Sequence, residues 1–312
     1  MEVGSGWRLF LAAVVLAAAC GAQQDPGEDY KISLDVDLVL LEVAVSGPGG
    51  VFVSGLERDQ FRVYENGRRQ ATRHFQQQDV PATIGLVVDT SGSMRSRHPQ
   101  VTSALVALSE ASHPNDQTFV VNFNDRVSFG LPAGVDFTND RTQLKQALTS
   151  TLPDGRTALH DALLLALEHL RKGKHTRKAL VVVSDGGDNA SRRRFHEVLR
   201  AAQSSSTLIY TIGLLDEENR DRKPRILKAL ARETGAEAFL SVKTPDVFEI
   251  CRRIAMDMRS RYSIGYVPAA TVKPEAYRAI RVEVTGGKDW KVRTRRGYSA
   301  PAVPTSSSEE DE

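Results

Sequence analysis

Between residues 80 and 260 two kinds of apolar pattern alternate along the chain. Short unbroken runs, such as Ile84 to Val88 and Ala179 to Val183, suit strands buried on both faces. Longer stretches between them place apolar residues on one side at helical spacing. The runs predict strands over Thr83–Asp89, Thr118–Asn124, Ala179–Ser184, Thr207–Leu214 and Ala238–Ser241. The longer stretches predict helices over Gln100–Ser112, Arg141–Thr151, Ala158–Lys172, Arg192–Gln203, Lys223–Thr234 and Pro245–Arg259. Residues 126–137 suit an antiparallel edge strand. Such alternation predicts an α/β fold: a doubly wound, mostly parallel sheet with helices on both faces.

The flanks read differently. ISLDVDLVLLEVAV alternates with period two until GPGG breaks it, and FRVYENGRRQATRHF is a hairpin pattern. Its Asn66-Gly67 supplies the positive φ values of a two-residue turn. RYSIGYVP, YRAIRVEVTGG and WKVRTRRGY are again strand-like. Neither flank has enough strands to close a core alone, so the amino- and carboxy-terminal strands are expected to pair into one small β module. The expected plan is a signal segment at 1–22, a β segment at 31–79, the α/β domain at 80–259, a β segment at 260–299 and a disordered acidic tail at 300–312.

Composition adds an address. Of 312 residues, 41% are hydrophobic and 26% charged, ordinary for a globular protein. The formal charge is +2, and without the four acids Glu309 to Glu312 it becomes +6, too diffuse to indicate nucleic acid. Arg8, the apolar stretch Leu9 to Ala19 and the small residues after it read as a secretory signal, too short to span a bilayer. The expectation is therefore an exported protein, periplasmic or extracellular, with no membrane span. Cleavage after Ala22 is one route. Lipid attachment at Cys20 is the other, although Ala17 stands where a lipobox usually has Leu. Either leaves Cys251, in the helical pattern FEICRRIAMDM, as a small buried apolar side chain.

The chemistry gathers at strand ends. Asp89, Ser91 and Ser93 sit at alternate positions of DTSGSM, directly after the first apolar run. Thr157 follows Gly155 just before a predicted helix, and Asp185 ends the run KALVVVSD. Open α/β sheets bind ligands at the carboxyl edge, where these loops meet. Carboxylates and hydroxyls are hard oxygen donors of the kind Mg²⁺ takes, with Mn²⁺ or Ca²⁺ as alternatives. D-x-S-x-S alone is common in turns; three ordered segments together are not. The plain alternative is a set of polar helix caps, with Thr157 as an N-cap. Asp161 either orients a ligand from outside the donor set or simply favours the helix N-terminus. Asp188 and Asn189 are expected to shape their turn, and Asn122, Asn124 and Asp125 to buttress the loops. Arg192 to Arg194 read as a solvated helix start, and His98 as a loop residue.

In these segments, IGLVVDTSGSM, VVNFND, GRTALHDAL and VVVSDGGDN, the chain resembles the von Willebrand factor type A family over roughly residues 80 to 255. It is most similar to a bacterial subgroup with a signal peptide and flanking β segments. That family carries a metal-ion-dependent adhesion site written D-x-S-x-S, then Thr, then Asp. The resemblance implies that Asp89, Ser91, Ser93, Thr157 and Asp185 form it. It also implies that the two aspartates bind partly through water, and that a Glu or Asp of a partner protein completes the shell. Adhesion or assembly is the implied role.

Enzyme classes find little footing. There is no H-E-x-x-H zinc motif, no G-x-S-x-G elbow and no phosphate loop of the G-x-x-x-x-G-K-[ST] type. DTSG has no second copy to form an aspartic-protease dyad. The alternatives to a docking module are an envelope scaffold with a purely stabilising metal and, further off, a metal-assisted hydrolase.

Overall fold

The computed structural model describes residues 38–214, 223–240, 242–243, 246–268 and 276–299, all within one compact unit. The expected signal segment, Cys20 and Glu309 to Glu312 lie outside the described residues. In chain order the strands begin with β1 (Val39–Ser46), β2 (Phe61–Glu65), β3 (Arg68–Gln70) and β4 (Thr72–Gln76). The α/β body follows with β5 (Ala82–Asp89), α1 (His98–Ala111), β6 (Gln117–Phe123), β7 (Val127–Phe129), α2 (Arg141–Thr149) and α3 (Leu159–Leu170). It continues through β8 (Arg177–Ser184), α4 (Phe195–Ser204), β9 (Leu208–Gly213), α5 (Pro224–Thr234), β10 (Ala238–Phe239) and α6 (Val247–Arg259). The chain returns through β11 (Tyr262–Tyr266), β12 (Tyr277–Val284), β13 (Lys291–Arg293) and β14 (Gly297–Ser299).

The body is a six-stranded sheet in the order β10-β9-β8-β5-β6-β7, parallel except for the edge strand β7. All eight residues of β5 are buried, as its apolar text requires. Gly85 keeps the middle of β5 bare: a Cβ there would lie 2.5 Å from the side chains of both Leu180 and Phe119. From β5 the chain moves one way through α1 and then the other way through α3, α4 and α5. Right-handed crossovers in opposite directions put helices on opposite faces. Accordingly α1 packs with α2 and α6, while α4 packs between α3 and α5.

Three readings at helix starts need correcting, the Thr157 cap among them as the plain alternative. His98 is not a loop residue: it opens α1 and is buried, with its basicity lowered by desolvation. Thr157 is not an N-cap, for α3 begins after Ala158 without a side-chain cap of its own. Arg192 to Arg194 stay outside α4 as an exposed stretch, because their amides are taken by Asp161 and Glu197.

The flanking strands build two four-stranded antiparallel sheets, β13-β1-β11-β4 and β14-β12-β2-β3. Each contains strands from both ends of the chain. Their inward residues, among them Leu41, Val43, Val63, Tyr262, Ile264 and Val282, form one buried cluster, so the sheets face each other across a shared core. Asn66 and Gly67 turn β2 into β3 with φ of 47° and 78°. The second half of the hairpin text goes elsewhere, since Thr72–Gln76 crosses over to pair with β11.

A buried ionic seam joins this sandwich to the body. Asp257 of α6 accepts hydrogen bonds from Arg261 at 2.8 Å, Arg293 at 3.1 Å and the Tyr210 hydroxyl at 2.9 Å. Nearby, Arg177 of β8 pairs with Glu42 of β1 at 3.0 Å. Cys251 is buried and unpaired, its thiol pushed up to about 12 by burial. No helix among the described residues is long and apolar enough to cross a membrane.

Candidate metal centre

Parallel pairing sets the ends of β5 and β8 side by side, Val88 opposite Val183, so Asp89 and Ser184 leave the sheet together. Asp89 is fully buried. Its Oδ1 accepts the Ser91 amide at 2.9 Å, and its Oδ2 accepts the Ser184 hydroxyl at 2.8 Å. The Ser91 and Ser93 hydroxyls lie 3.1 Å apart, with Ser91 buried and Ser93 exposed. The DTSGSM loop thus runs from a sealed carboxylate to an open hydroxyl. Buried Met94 pins its far end to the core.

The second loop is stitched to the first by backbone. The Asp154 amide donates to Thr90 O at 2.9 Å, and the Gly92 amide donates to Gly155 O at 3.2 Å. Gly155 has φ +76°, and a Cβ there would lie 2.3 Å from Asp125 Oδ2. Asp125 occupies that space because its Oδ1 accepts both the amide and Nε of Arg156 at 3.0 Å. Asn124 O receives the Ala158 amide at 2.9 Å, while Asn122 donates to Ala147 O at 2.8 Å. Asn124 and Asp125 thus buttress the loop, whereas Asn122 ties β6 to the end of α2.

The third loop closes the set. The amides of Asn189 and Ala190 both donate to Thr157 O at 3.0 Å, and the Thr157 amide donates to Asn189 Oδ1 at 2.9 Å. Asp185 is buried and its Oδ1 accepts the Gly187 amide at 2.8 Å. Asp188 supplies the cap that Thr157 does not: its Oδ2 accepts the His160 amide at the start of α3 at 2.8 Å. Asp161 faces the same loop and accepts the amides of Arg192 and Arg193, each at 3.0 Å. Asp161 therefore steadies the third loop, with both oxygens on its backbone.

Asp89, Ser91 and Ser93 are in direct or one-step contact, and Asp185 lies close enough for its charge to act on Asp89. Thr157 joins them through the backbone stitches, and its hydroxyl makes no hydrogen bond among the described residues. Burial, reinforced by the Asp185 charge, raises the Asp89 carboxyl from 3.8 to about 6, against the lowering effect of its bonds from Ser91 and Ser184. All of those bonds come from neutral donors. Two neighbouring buried carboxylates with hydroxyls around them fit a divalent cation, whose charge would offset the repulsion between them. Three hydroxyls and two carboxylates differ from a cage of three or more His, Cys, Asp or Glu, of which the described residues hold none.

Sequence reasoning missed Ser184 and gave Asn189 only a turn-shaping role. Ser184 carried a signal, standing at the end of an apolar run beside Asp185. The bond of Asn189 to Thr157 carried none, because it spans 32 residues.

Comparison with known proteins bears on the family and the fold. Residues 84–187 match the von Willebrand factor type A domain family. An uncharacterized protein of Synechocystis, sll0103, is 25% identical over 165 residues, 52% of this chain and 37% of its own length. The chain thus spans well under half of that relative. A solved von Willebrand factor type A protein from Catenulispora acidiphila superposes over 85% of this chain and 74% of that one. It has a TM-score of 0.51 at 14% identity, a likeness of fold. The vWF domain of the pilus tip protein Mfa5 from Porphyromonas gingivalis covers 57% of this chain and 95% of that one, with TM-score 0.49 and 14% identity.

Proposed function

Because residues 84–187 are a von Willebrand factor type A domain, we propose that this chain is an exported docking module whose carboxyl-edge loops hold a divalent cation, Mg²⁺ in the first place. Asp89, Ser91, Ser93, Thr157 and Asp185 are the donors. When bound, the ion would offer a coordination position to a Glu or Asp side chain of a partner protein. One observation carries the reading: Asp89 is fully buried beside a second carboxylate, yet among the described residues its oxygens meet only neutral donors.

The chain's own residues do the rest. Ser184 and the Ser91 amide fix the Asp89 carboxylate, while Asn189 orients the loop that presents Thr157. Exposed Ser93 marks the side from which a partner approaches. The loops are joined by hydrogen bonds of their own, which favours a binding role for the ion over a purely stabilising one. Docking rather than catalysis is the role.

The test uses the immobilised chain, from Gln23 onward, and envelope extract, with Mg²⁺ or with a chelator. Partners should be retained in Mg²⁺, released by the chelator, and absent for Asp89→Ala. An unchanged partner set in chelator would reject the proposal.

A further inference from the structure

Away from the metal loops, the body and the sandwich enclose a cleft of about 590 Å³ between α5 and the strands β12 and β13. Its charge is one-sided. Among the described residues, Lys228, Arg232, Arg281, Arg293, Arg295 and Arg296 line it, against the single carboxylate of Glu237. Glu237 is already engaged, by Arg253 and Arg293, each at 3.3 Å. Arg293 is further compensated by Asp257. Arg232 and Arg281 pair with acids one and two residues further on, Glu233 and Glu283.

Three cations are left without a carboxylate among the described residues. The Arg295 guanidinium donates to the carbonyls of Gly297 and Gln203, and burial lowers its basicity. Lys228 and Arg296 are exposed and bonded to no side chain of the described residues. Ile280, Val282, Val292 and Leu240 make the apolar part of the lining. Gathering this many cations in one concave, partly apolar space is unfavourable unless an anion is present, since field lines concentrate in such clefts.

The chain contains a matching anion. Glu309-Glu310-Asp311-Glu312 is its only run of four acids. The run follows β14, whose first residue, Gly297, is the neighbour of the cleft residue Arg296. The strand carries the chain about 10 Å onward at roughly 3.3 Å per residue. From Ser299 the ten residues to Glu309 can reach up to about 33 Å, ample for a return to the cleft. On so short a tether, the acids act at an effective concentration on the order of millimolar. We infer that the α5–β12–β13 cleft binds the chain's own acidic run, Glu309 to Glu312, as an intramolecular ligand.

The site is separate from the metal loops. Gly235 and Ala236 of the cleft precede β10, at the amino edge of the sheet, whereas Asp89 and Asp185 follow the carboxyl ends of β5 and β8. Occupation of the cleft would tie α5 to the sandwich without covering the proposed docking edge.

The test compares the full chain with one ending at Pro304, using a fluorescent peptide, Thr305 to Glu312, as probe in fluorescence polarisation at low salt. The shortened chain should bind the peptide saturably, and the full chain at least tenfold more weakly, because its own run competes. Lys228→Glu with Arg296→Glu, both on exposed positions, should weaken binding to the shortened chain at least tenfold with an unchanged melting temperature. A peptide with its four acids replaced by Gln should not bind. Equal binding to full and shortened chains would overturn the inference, as would indifference to the double variant. Loss of peptide binding in Asp89→Ala would overturn it too, by placing the acids at the metal loops. Mg²⁺ uptake is read separately, so failure of the docking proposal leaves this result interpretable.

Discussion

Two aspartates, Asp89 and Asp257, are equally buried and treated in opposite ways. Asp257 sits in the seam between body and sandwich, where two arginines and a tyrosine hydroxyl hold its carboxyl below the usual range despite burial. Asp89 stands at the carboxyl edge of the sheet with only neutral donors among the described residues, and burial lifts it to about 6. The described residues neutralise one charge from within and give the other only neutral donors. A buried charge that stays uncompensated costs stability, so the contrast supports the proposed ligand at the edge.

The comparison can be broken at several places. Asp257→Ala should have the largest effect, since it strands Arg261, itself fully buried, and leaves Arg293 without one partner. Breaking a buried pair in this way typically costs about 3–5 kcal/mol, readable by chemical denaturation. A loss under about 1 kcal/mol would show that the seam is not what neutralises Asp257.

Asp89→Asn should act in the other direction. In chelator at pH 7 it should stabilise the fold by up to about 3 kcal/mol, from a rise of 3.8 to about 6. The sign follows from proton uptake. Between pH 4 and 6 the folded chain holds the Asp89 proton more tightly than the unfolded chain, so metal-free stability falls as pH rises through that window. For Asp257, with its depressed value, stability is lost as pH falls below the ordinary 3.8. Melting curves of wild type and Asp89→Asn across pH 4 to 7 should converge at the acid end. Parallel curves would contradict the assignment.

Gly155→Ala should come next, at about 1–3 kcal/mol, because its φ of +76° disfavours a side chain and Asp125 fills the space. It should weaken metal binding as well, by moving the loop that presents Thr157. Arg95→Ala should change least. Its pair with Asp154, at 3.2 Å, is exposed on both sides, so no more than about 1 kcal/mol is expected.

Much of this was legible in the chain itself. Period and run length gave the alternation of the body, and even the antiparallel β7, because residues such as Ile84 to Val88 can only be covered on both sides. Asn66-Gly67 marked a turn by its backbone requirement alone. The crossing of Thr72–Gln76 to β11 was not legible, since strand partners are chosen by packing across long separations. The same holds at the site. Asp89, Ser91, Ser93, Thr157 and Asp185 were singled out by position at strand ends and by family likeness. The capping of α3 by Asp188, the clamp of Asp161 on the third loop and the Ser184 bond to Asp89 depend on which loops become neighbours in space. Short motifs report local geometry; their partners come from topology.

The most direct measurement is titration calorimetry of Mg²⁺ into the chelator-stripped chain, from Gln23 onward, alongside Asp89→Asn. Uptake of one ion by the wild type and none by the variant is the expected result. No uptake by the wild type, or equal uptake by both, would contradict the view that Asp89 is left charged for a cation.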